Sequence, residues 1–277
     1  MPLSVVTGAT GGIGRWIAAG LAQAGHDVIL IGRSPPACAA ARGWILGQCA
    51  DVRIEIVIAD LSLLEQARRA GLSIAAAGRP VDVLVNNAGV FTHRREVTAE
   101  GHERVIAVNH LAPFVLTHAL LPALRRAAPG ARIVNVGSST SDTANIDPDD
   151  LEGVRRWGMV HSYAQSKLAL LMVTNRWAER LRADRITANT VHPGMVATGL
   201  IRAGGAIGLA WRVMAPFLLT EEQGAATPLH VALSPAFAGV TGAYVKKTLP
   251  VKPNRLALED ALASRVWAAT ALLTGLS

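Results

Sequence analysis

Tyr163 and Lys167 stand four residues apart in the stretch HSYAQSK, a spacing that puts both side chains on one helical face, one turn apart. The chain has two tyrosines in 277 residues and only four lysines, its basic positions being mostly arginine. A chance Tyr-x-x-x-Lys pair is therefore rare, with roughly 0.03 expected. A phenol ordinarily holds its proton to a pKa of about 10, and a nearby ammonium favours the phenolate. Such a pair can pass a proton to or from a carbonyl oxygen near neutral pH.

A second constellation opens the chain. TGATGGIG, Thr7 to Gly14, follows an apolar run and leads into a helical pattern. Glycines at 8, 12 and 14 allow a tight turn and let a pyrophosphate approach the free N–H groups of a helix start. The spacing is TGxxxGxG rather than G-x-G-x-x-G, a wider loop with the same physical use. The second apolar run ends in Gly32-Arg33-Ser34. A dinucleotide fold that prefers NAD needs a carboxylate there for the ribose 2′-hydroxyl, whereas a guanidinium suits a 2′-phosphate. Arg33 and Ser34 thus point to NADP(H), with Arg15 offering a second cation. Further on, Asp60-Leu61-Ser62 can cap a helix and bring Asp60 to the adenine amino group.

Those groups need a scaffold that gathers them. Short β-rich apolar runs alternate with longer helical patterns, the mark of a parallel sheet with helices on both faces. Strands are expected near Leu3–Thr7, Val28–Gly32, Ile54–Ala59, Val81–Asn86, Arg132–Gly137, Ile186–His192 and Gly242–Val245, and helices from near Ile13, Ser62, Glu100, Ser162 and Glu221. The fold class is α/β: one Rossmann-type, doubly wound domain over residues 1–277. Residues 1–130 form its cofactor half and 131–277 its catalytic and substrate half. Segments 140–160 and 199–219 follow strand ends on the ligand side and read as lids.

Composition narrows the function. The net charge is +7, yet the basic residues come as isolated pairs and aromatic residues are few. This argues against nucleic acid and for a surface that draws in a polyanionic cofactor. No run of eighteen apolar residues spans a bilayer, and a strand starting at Leu3 leaves no room for a signal peptide. A cytoplasmic protein without integral membrane association is expected. Cys38 and Cys49 make no disulfide framework, and eight histidines include no His-x-x-x-His pair, so no metal is expected.

With these pieces in place, the chain resembles the short-chain dehydrogenase/reductase superfamily over nearly its whole length. The motifs fall in order: TGATGGIG at 7–14, DLS at 60–62, NNAG at 86–89, VNH at 108–110, NVGS at 135–138, YAQSK at 163–167 and HPGMVAT at 192–198. The resemblance implies a seven-stranded parallel sheet carrying NAD(P), and a catalytic set of Asn109, Ser138, Tyr163 and Lys167. In that set Tyr163 exchanges the proton with the substrate oxygen, and Lys167 holds the nicotinamide ribose and shifts Tyr163 toward phenolate. Ser138 hydrogen-bonds the reacting oxygen, and Asn109 holds a water that links Lys167 to solvent. Ser139 is the alternative to Ser138, because Gly137 replaces the usual serine of this motif. Cofactor contacts are implied at Gly8, Thr10, Gly12, Ile13 and Gly14, at Arg33 and Ser34, and at Asp60 and Leu61. Asn87, Ala88 and Gly89 follow, then Tyr163 and Lys167, and last Pro193, Gly194, Val196 and Thr198.

VNHLAPFVLTHALLP and the acidic stretch Asp147–Gly153 resemble the retinol-dehydrogenase-like branch. Ala112-Pro113 departs from a Gly-containing pair, and the hydrophobic anchor of membrane-bound relatives is absent, so the chemistry carries over and retinol as substrate does not. Trp157, Met159 and His161 in the first lid, with Trp211, Met214 and Phe217 in the second, suit a bulky apolar or aromatic substrate. The spacing of three in the second set fits a core-facing stripe equally well. The expected activity is NADP(H)-dependent interconversion of a carbonyl and an alcohol on a small molecule. C=C reduction or epimerisation on the same fold, and a non-catalytic NADP(H)-binding regulator, are the alternatives. The apolar run Ala261–Leu276 reads as packing or a subunit interface, and a homo-oligomer is expected.

Overall fold

The computed structural model describes residues 1–49, 51–196 and 218–276. The chain begins with β1 (Leu3–Thr7), α1 (Gly12–Gln23), β2 (Asp27–Gly32), α2 (Pro35–Leu46), β3 (Ile54–Ile58), α3 (Leu64–Ala76) and β4 (Val83–Asn86). A helical run follows as α4 (Arg104–Ile106), a π-turn (Ala107–Leu111) and α5 (Ala112–Ala127), then β5 (Arg132–Val136). Two 3₁₀ turns, Ser139–Asp142 and Pro148–Asp150, lead to α6 (Met159–Arg180) and β6 (Thr187–His192). Beyond residue 217 come α7 (Glu221–Leu233), β7 (Tyr244–Lys246), β8 (Leu249–Val251) and α8 (Asp260–Thr274).

β1 is buried along its whole length, and its neighbours Val5 and Val6 enter different apolar clusters. A strand covered on both faces reads as a continuous apolar run for that reason. On one face α3, α5, α6 and α8 pack over the sheet, with Phe114, Trp177 and Trp267 meeting at ring separations of 5.0 and 5.5 Å. The other face is covered by α1, α2 and α7. The strand order is β3-β2-β1-β4-β5-β6-β7-β8, parallel except for the last pair. Connections run outward in opposite directions from β1 and β4, so the loops after these two strands part and leave a crevice. A polar ladder crosses the middle of the sheet: Asn86 Nδ2 donates to Asn135 Oδ1 (2.8 Å), and Asn135 Nδ2 donates to Thr174 Oγ1 (2.7 Å). It ties β4 and β5 to α6 by directional bonds as well as by packing.

The seven parallel strands lie where the apolar runs put them, and β8 is an addition. Lys247 and Thr248 take left-handed backbone angles (φ 46° and 66°) and close a two-residue hairpin. Neither is Gly or Asn, so no turn signal marks it. The helix α2 is a second addition, capped by Ser34 Oγ, which accepts from Ala37 N–H (3.4 Å), with Pro35 at its first position. Ser62 does not cap α3. That helix starts at Leu64, where the Glu100 carboxylate accepts from the N–H groups of Leu64 and Glu65. Asp60 instead closes a local turn onto Ser62 N–H (2.9 Å). Segment 140–160 is irregular apart from the 3₁₀ turns and the start of α6. The second expected lid lies outside the described residues except at 218–219, and Trp211, Met214 and Phe217 fall there too. The helical run Arg104–Ala127 is long and apolar enough to cross a bilayer, but 83% of its apolar window is buried inside the protein, as in a core helix.

Candidate active site

Tyr163 and Lys167 lie in the first two turns of α6 and face the same cleft, of about 410 Å³. Lys167 is 4% exposed and donates from Nζ to the Val136 carbonyl at the end of β5 (2.8 Å). Burial pushes its ammonium down to about 8. Its Nζ lies 5.9 Å from the centre of the Tyr163 ring. Burial also raises the Tyr163 phenol above its ordinary range, and a hydrogen bond from the side chain of Ser138 pulls part of the way back. The shift therefore runs opposite to the phenolate expected from the neighbouring ammonium: desolvation of the phenol wins in this arrangement.

Ser138, not Ser139, is the serine whose side chain offsets the rise of the phenol. It lies two residues beyond β5 and caps the following 3₁₀ turn through Oγ, which accepts from Thr140 N–H (3.2 Å). Ser139 is turned to a different task, its N–H donating to His192 Nδ1 (3.2 Å). Burial and then the Lys246 ammonium hold His192 down to about 4, which keeps that nitrogen free to accept. Asn109 lies in the π-turn, fully buried, and its amide is spent on protein. Nδ2 donates to Val90 O (3.0 Å) and Ser166 Oγ (3.1 Å), while Oδ1 accepts from Val90 N–H (2.8 Å). The expected water thus has little of the side chain to bind. The Asn109 carbonyl receives no α-helical bond, because the residue four on is Pro113, which has no N–H.

The cofactor end is assembled from backbone. Asn87 Nδ2 donates to the carbonyls of Thr7 (3.0 Å) and Gly8 (3.4 Å), and Thr7 Oγ1 accepts from the N–H groups of Asn87 and Ala88 (2.9 and 3.0 Å). A Cβ at Gly14 would lie 2.3 Å from the Gly8 carbonyl oxygen, and one at Gly8 would lie 2.9 Å from Ala88 Cα. Only glycine lets the loop, the helix start and the Asn87 turn meet this closely. The cleft is lined by Gly8, Thr10, Gly12, Ile13, Gly14, Arg33, Asp60, Leu61, Asn87, Ala88, Gly89, Tyr163, Lys167 and Pro193. Ser34, Gly194 and Val196 do not line it, and Thr198 lies outside the described residues. Arg15 is turned away: its guanidinium stacks 4.3 Å over the Trp44 ring and lies 3.9 Å from Glu221. The second guanidinium on the cleft is Arg104, paired with Glu96 at 2.8 Å.

The loop, crevice and Tyr/Lys pair have a counterpart among known proteins. The family model described as short chain dehydrogenase matches residues 3–205. The chain belongs to the short-chain dehydrogenase/reductase family. Its place is in the retinol-dehydrogenase-like branch. It is 34% identical to retinol dehydrogenase 12 of Bos taurus over 272 residues, covering 98% of this chain and 86% of the relative. It is 36% identical to polyprenol dehydrogenase of Mus musculus over 280 residues, covering 99% and 84%. The solved structure of a blue fluorescent protein from a metagenomic library, in complex with NADPH, matches with a TM-score of 0.71 and 31% identity over 89% of this chain and 96% of that one. Family membership makes the chain an oxidoreductase acting on a small molecule.

For a short-chain dehydrogenase/reductase, the informative region is the side of Tyr163 away from the glycine loop. The Phe91 ring meets the Tyr163 ring edge-on at 5.2 Å, and His93 Nδ1 lies 3.2 Å from Met159 Sδ. Met195 is 55% exposed beyond the end of β6. Trp157 has a different use: its indole N–H donates to the buried Glu103 carboxylate (3.3 Å), whose other oxygen caps Ile106 N–H (2.8 Å) at the start of α4. It braces the 147–158 segment against the helix that carries Asn109. Arg104 has no local motif around it, and only the fold brings it to the cleft; Phe91 follows the NNAG motif by two residues and meets Tyr163.

Proposed function

We propose that the protein is an NADP(H)-dependent oxidoreductase that interconverts a carbonyl and an alcohol on a bulky, lipophilic or aromatic small molecule. The observation that carries this reading is the buried Lys167 ammonium 5.9 Å from the centre of the Tyr163 ring, both on the wall of a cleft whose far end is the glycine loop. A dinucleotide suits that cleft, since the close Gly8–Gly14 contact keeps the loop tight at the start of α1, while a Cβ at Gly11 would meet no atom within 4 Å. Bound there, NADP(H) supplies or takes up the hydride. Arg33 is exposed at the end of β2 to meet a 2′-phosphate. Gly32 beside it has no room for a side chain, since a Cβ would lie 2.7 Å from Cys38 Sγ and 2.8 Å from Thr10 Cγ2. A carboxylate for the ribose diol therefore has no seat at that position. The NADPH complex of the metagenomic relative is in keeping with this preference.

In reduction, Tyr163 gives its phenolic proton to the carbonyl oxygen, and in oxidation it takes the proton back. A phenol raised by burial stays protonated at neutral pH, ready to donate. Ser138 orients the same oxygen, and Lys167 keeps a positive charge beside the reacting centre below about pH 8. Phe91 against the Tyr163 ring, and Met159 one turn before Tyr163 on α6, bring apolar and aromatic groups beside the phenol, and the relatives are named for retinol and polyprenol, both apolar alcohols. One domain serves both halves of the reaction, in a cytoplasmic homo-oligomer.

The test is NADPH and NADH consumption with retinal, a polyprenal and bulky aromatic ketones, wild type beside Tyr163→Phe. NADPH-driven alcohol formation that falls about 10²–10⁴-fold in the variant is the expected result. Turnover that survives the substitution, or product reduced at a C=C bond, would overturn the assignment of the proton donor.

A further inference from the structure

Tyr244 is the only other tyrosine in the chain, and it lies behind Ser138 rather than on the cleft. It is 2% exposed, and its hydroxyl stands 3.1 Å from the Ser138 carbonyl oxygen and 3.1 Å from Asp142 Oδ1. Lys246, two residues on and so on the same face of β7, takes the other oxygen of the Asp142 carboxylate. Asp142 is the last residue of the 3₁₀ turn that Ser138 caps. One hydroxyl proton serves the two acceptors, so the phenol of Tyr244 links the first and last residues of the turn. The turn is held at other points as well. Ser141 Oγ donates to the Ser138 carbonyl (2.7 Å), and Asn254 Nδ2 donates to the carbonyls of Ser141 (2.9 Å) and Ala144 (2.8 Å).

Ser138 itself has an extended backbone, φ −155° and ψ 151°, between the end of β5 and the turn. Its Oγ is tied to the turn by Thr140 N–H (3.2 Å), so its aim follows the placement of the turn and what grips the Ser138 carbonyl. We propose that Tyr244, braced by Asp142 and Lys246, is a positioning residue that fixes the Ser138 backbone and with it the hydroxyl offered to Tyr163. The kinetic consequence rests on the oxidoreductase reading above, while the spectroscopic one does not.

The chain's two tyrosines make the test direct. Protein labelled with ¹³Cζ-tyrosine gives two signals, and Tyr244→Phe, which keeps the ring packing, leaves only Tyr163. Ser138→Ala supplies the reference for a Tyr163 without its serine. Removing that hydrogen bond raises the Tyr163 midpoint, because the bond lowers it in the intact protein. The Tyr163 signal of Tyr244→Phe, followed from about pH 8 to 11, is expected to titrate later than in wild type and to move toward the Ser138→Ala curve. Asp142→Asn keeps an acceptor for Tyr244 but gives up the Lys246 ion pair, and shifts the signal less in the same direction. With a turned-over substrate, kcat of Tyr244→Phe falls about tenfold while the Kd for NADPH stays within about twofold. A Tyr163 signal unchanged in folded Tyr244→Phe, with Ser138→Ala shifted, would overturn the proposal. A joint fall of Tm, kcat and NADPH affinity would do so too, by making Tyr244 merely structural. The labelled-tyrosine comparison needs no turnover, so the failure of this inference is separable from failure of the proposed activity.

Discussion

At the glycine-loop end of the cleft the holding atoms are backbone: the carbonyls of Thr7 and Gly8 and the N–H groups of Asn87 and Ala88, gripped by two side chains 80 residues apart. Beyond Tyr163 the contacts are between side chains of the loop after β4 and of α6, Phe91 against the phenol ring and His93 against Met159. A backbone cradle fits a ligand part that never varies, such as a pyrophosphate, and tolerates almost no substitution. A wall of side chains can change its shape one residue at a time without disturbing the sheet. The contrast predicts that substitutions at the two ends separate cofactor effects from substrate effects.

Arg33→Ala should have the largest effect on one end alone. Loss of a charge-assisted contact to a 2′-phosphate is expected to raise the KM for NADPH about 10- to 100-fold and leave NADH kinetics within about twofold. Equal loss with both cofactors would remove Arg33 from the 2′ site. Next is the pH response of the centre that both ends share. Lys167 is charged below about pH 8 and neutral above it, so kcat/KM for NADPH should be flat up to that point and then fall about tenfold per pH unit. A profile flat to pH 10 would show that the ammonium is not required. Phe91→Ala should act on the substrate end only, raising KM for a bulky ketone or aldehyde by about three- to tenfold at unchanged NADPH affinity. Smallest is Trp157→Phe, which removes the donor to Glu103. Stability should drop by about 1–3 kcal/mol, read from denaturant midpoints, with kinetics unmoved. A changed substrate KM instead would make Trp157 part of the pocket wall and weaken the contrast.

What could be read from sequence follows the same division. Tyr163 and Lys167, Gly8 to Gly14, and Asn87 to Gly89 are each held by spacing within a few residues, and such spacing survives as a motif. Arg15 looked equivalent to Arg33 from its place beside Gly14, but Trp44 and Glu221 claim its guanidinium from other helices. The cap of α3 arrives from Glu100, far along the chain, and displaced the local candidate Ser62. The helix α2 carried readable signals in Ser34 and Pro35, hidden by a stretch rich in Ala and Pro. The hairpin to β8 had no such signal, since its left-handed positions are Lys247 and Thr248. Arg104 reaches the cleft through topology alone.

The fastening of Ser138 also sets an order in time. Tyr244 grips it from 106 residues downstream, and Asn254 holds Ser141 from 113 residues downstream. At the ribosome's pace of about 5–20 residues per second, Ser138 waits roughly 5–20 s after its own synthesis for its clamp. Thr7 and Asn87 are both made by then and can already close the glycine loop. A growing chain can thus close its glycine loop well before the clamp on Ser138 forms, which happens only once the hairpin has joined the sheet.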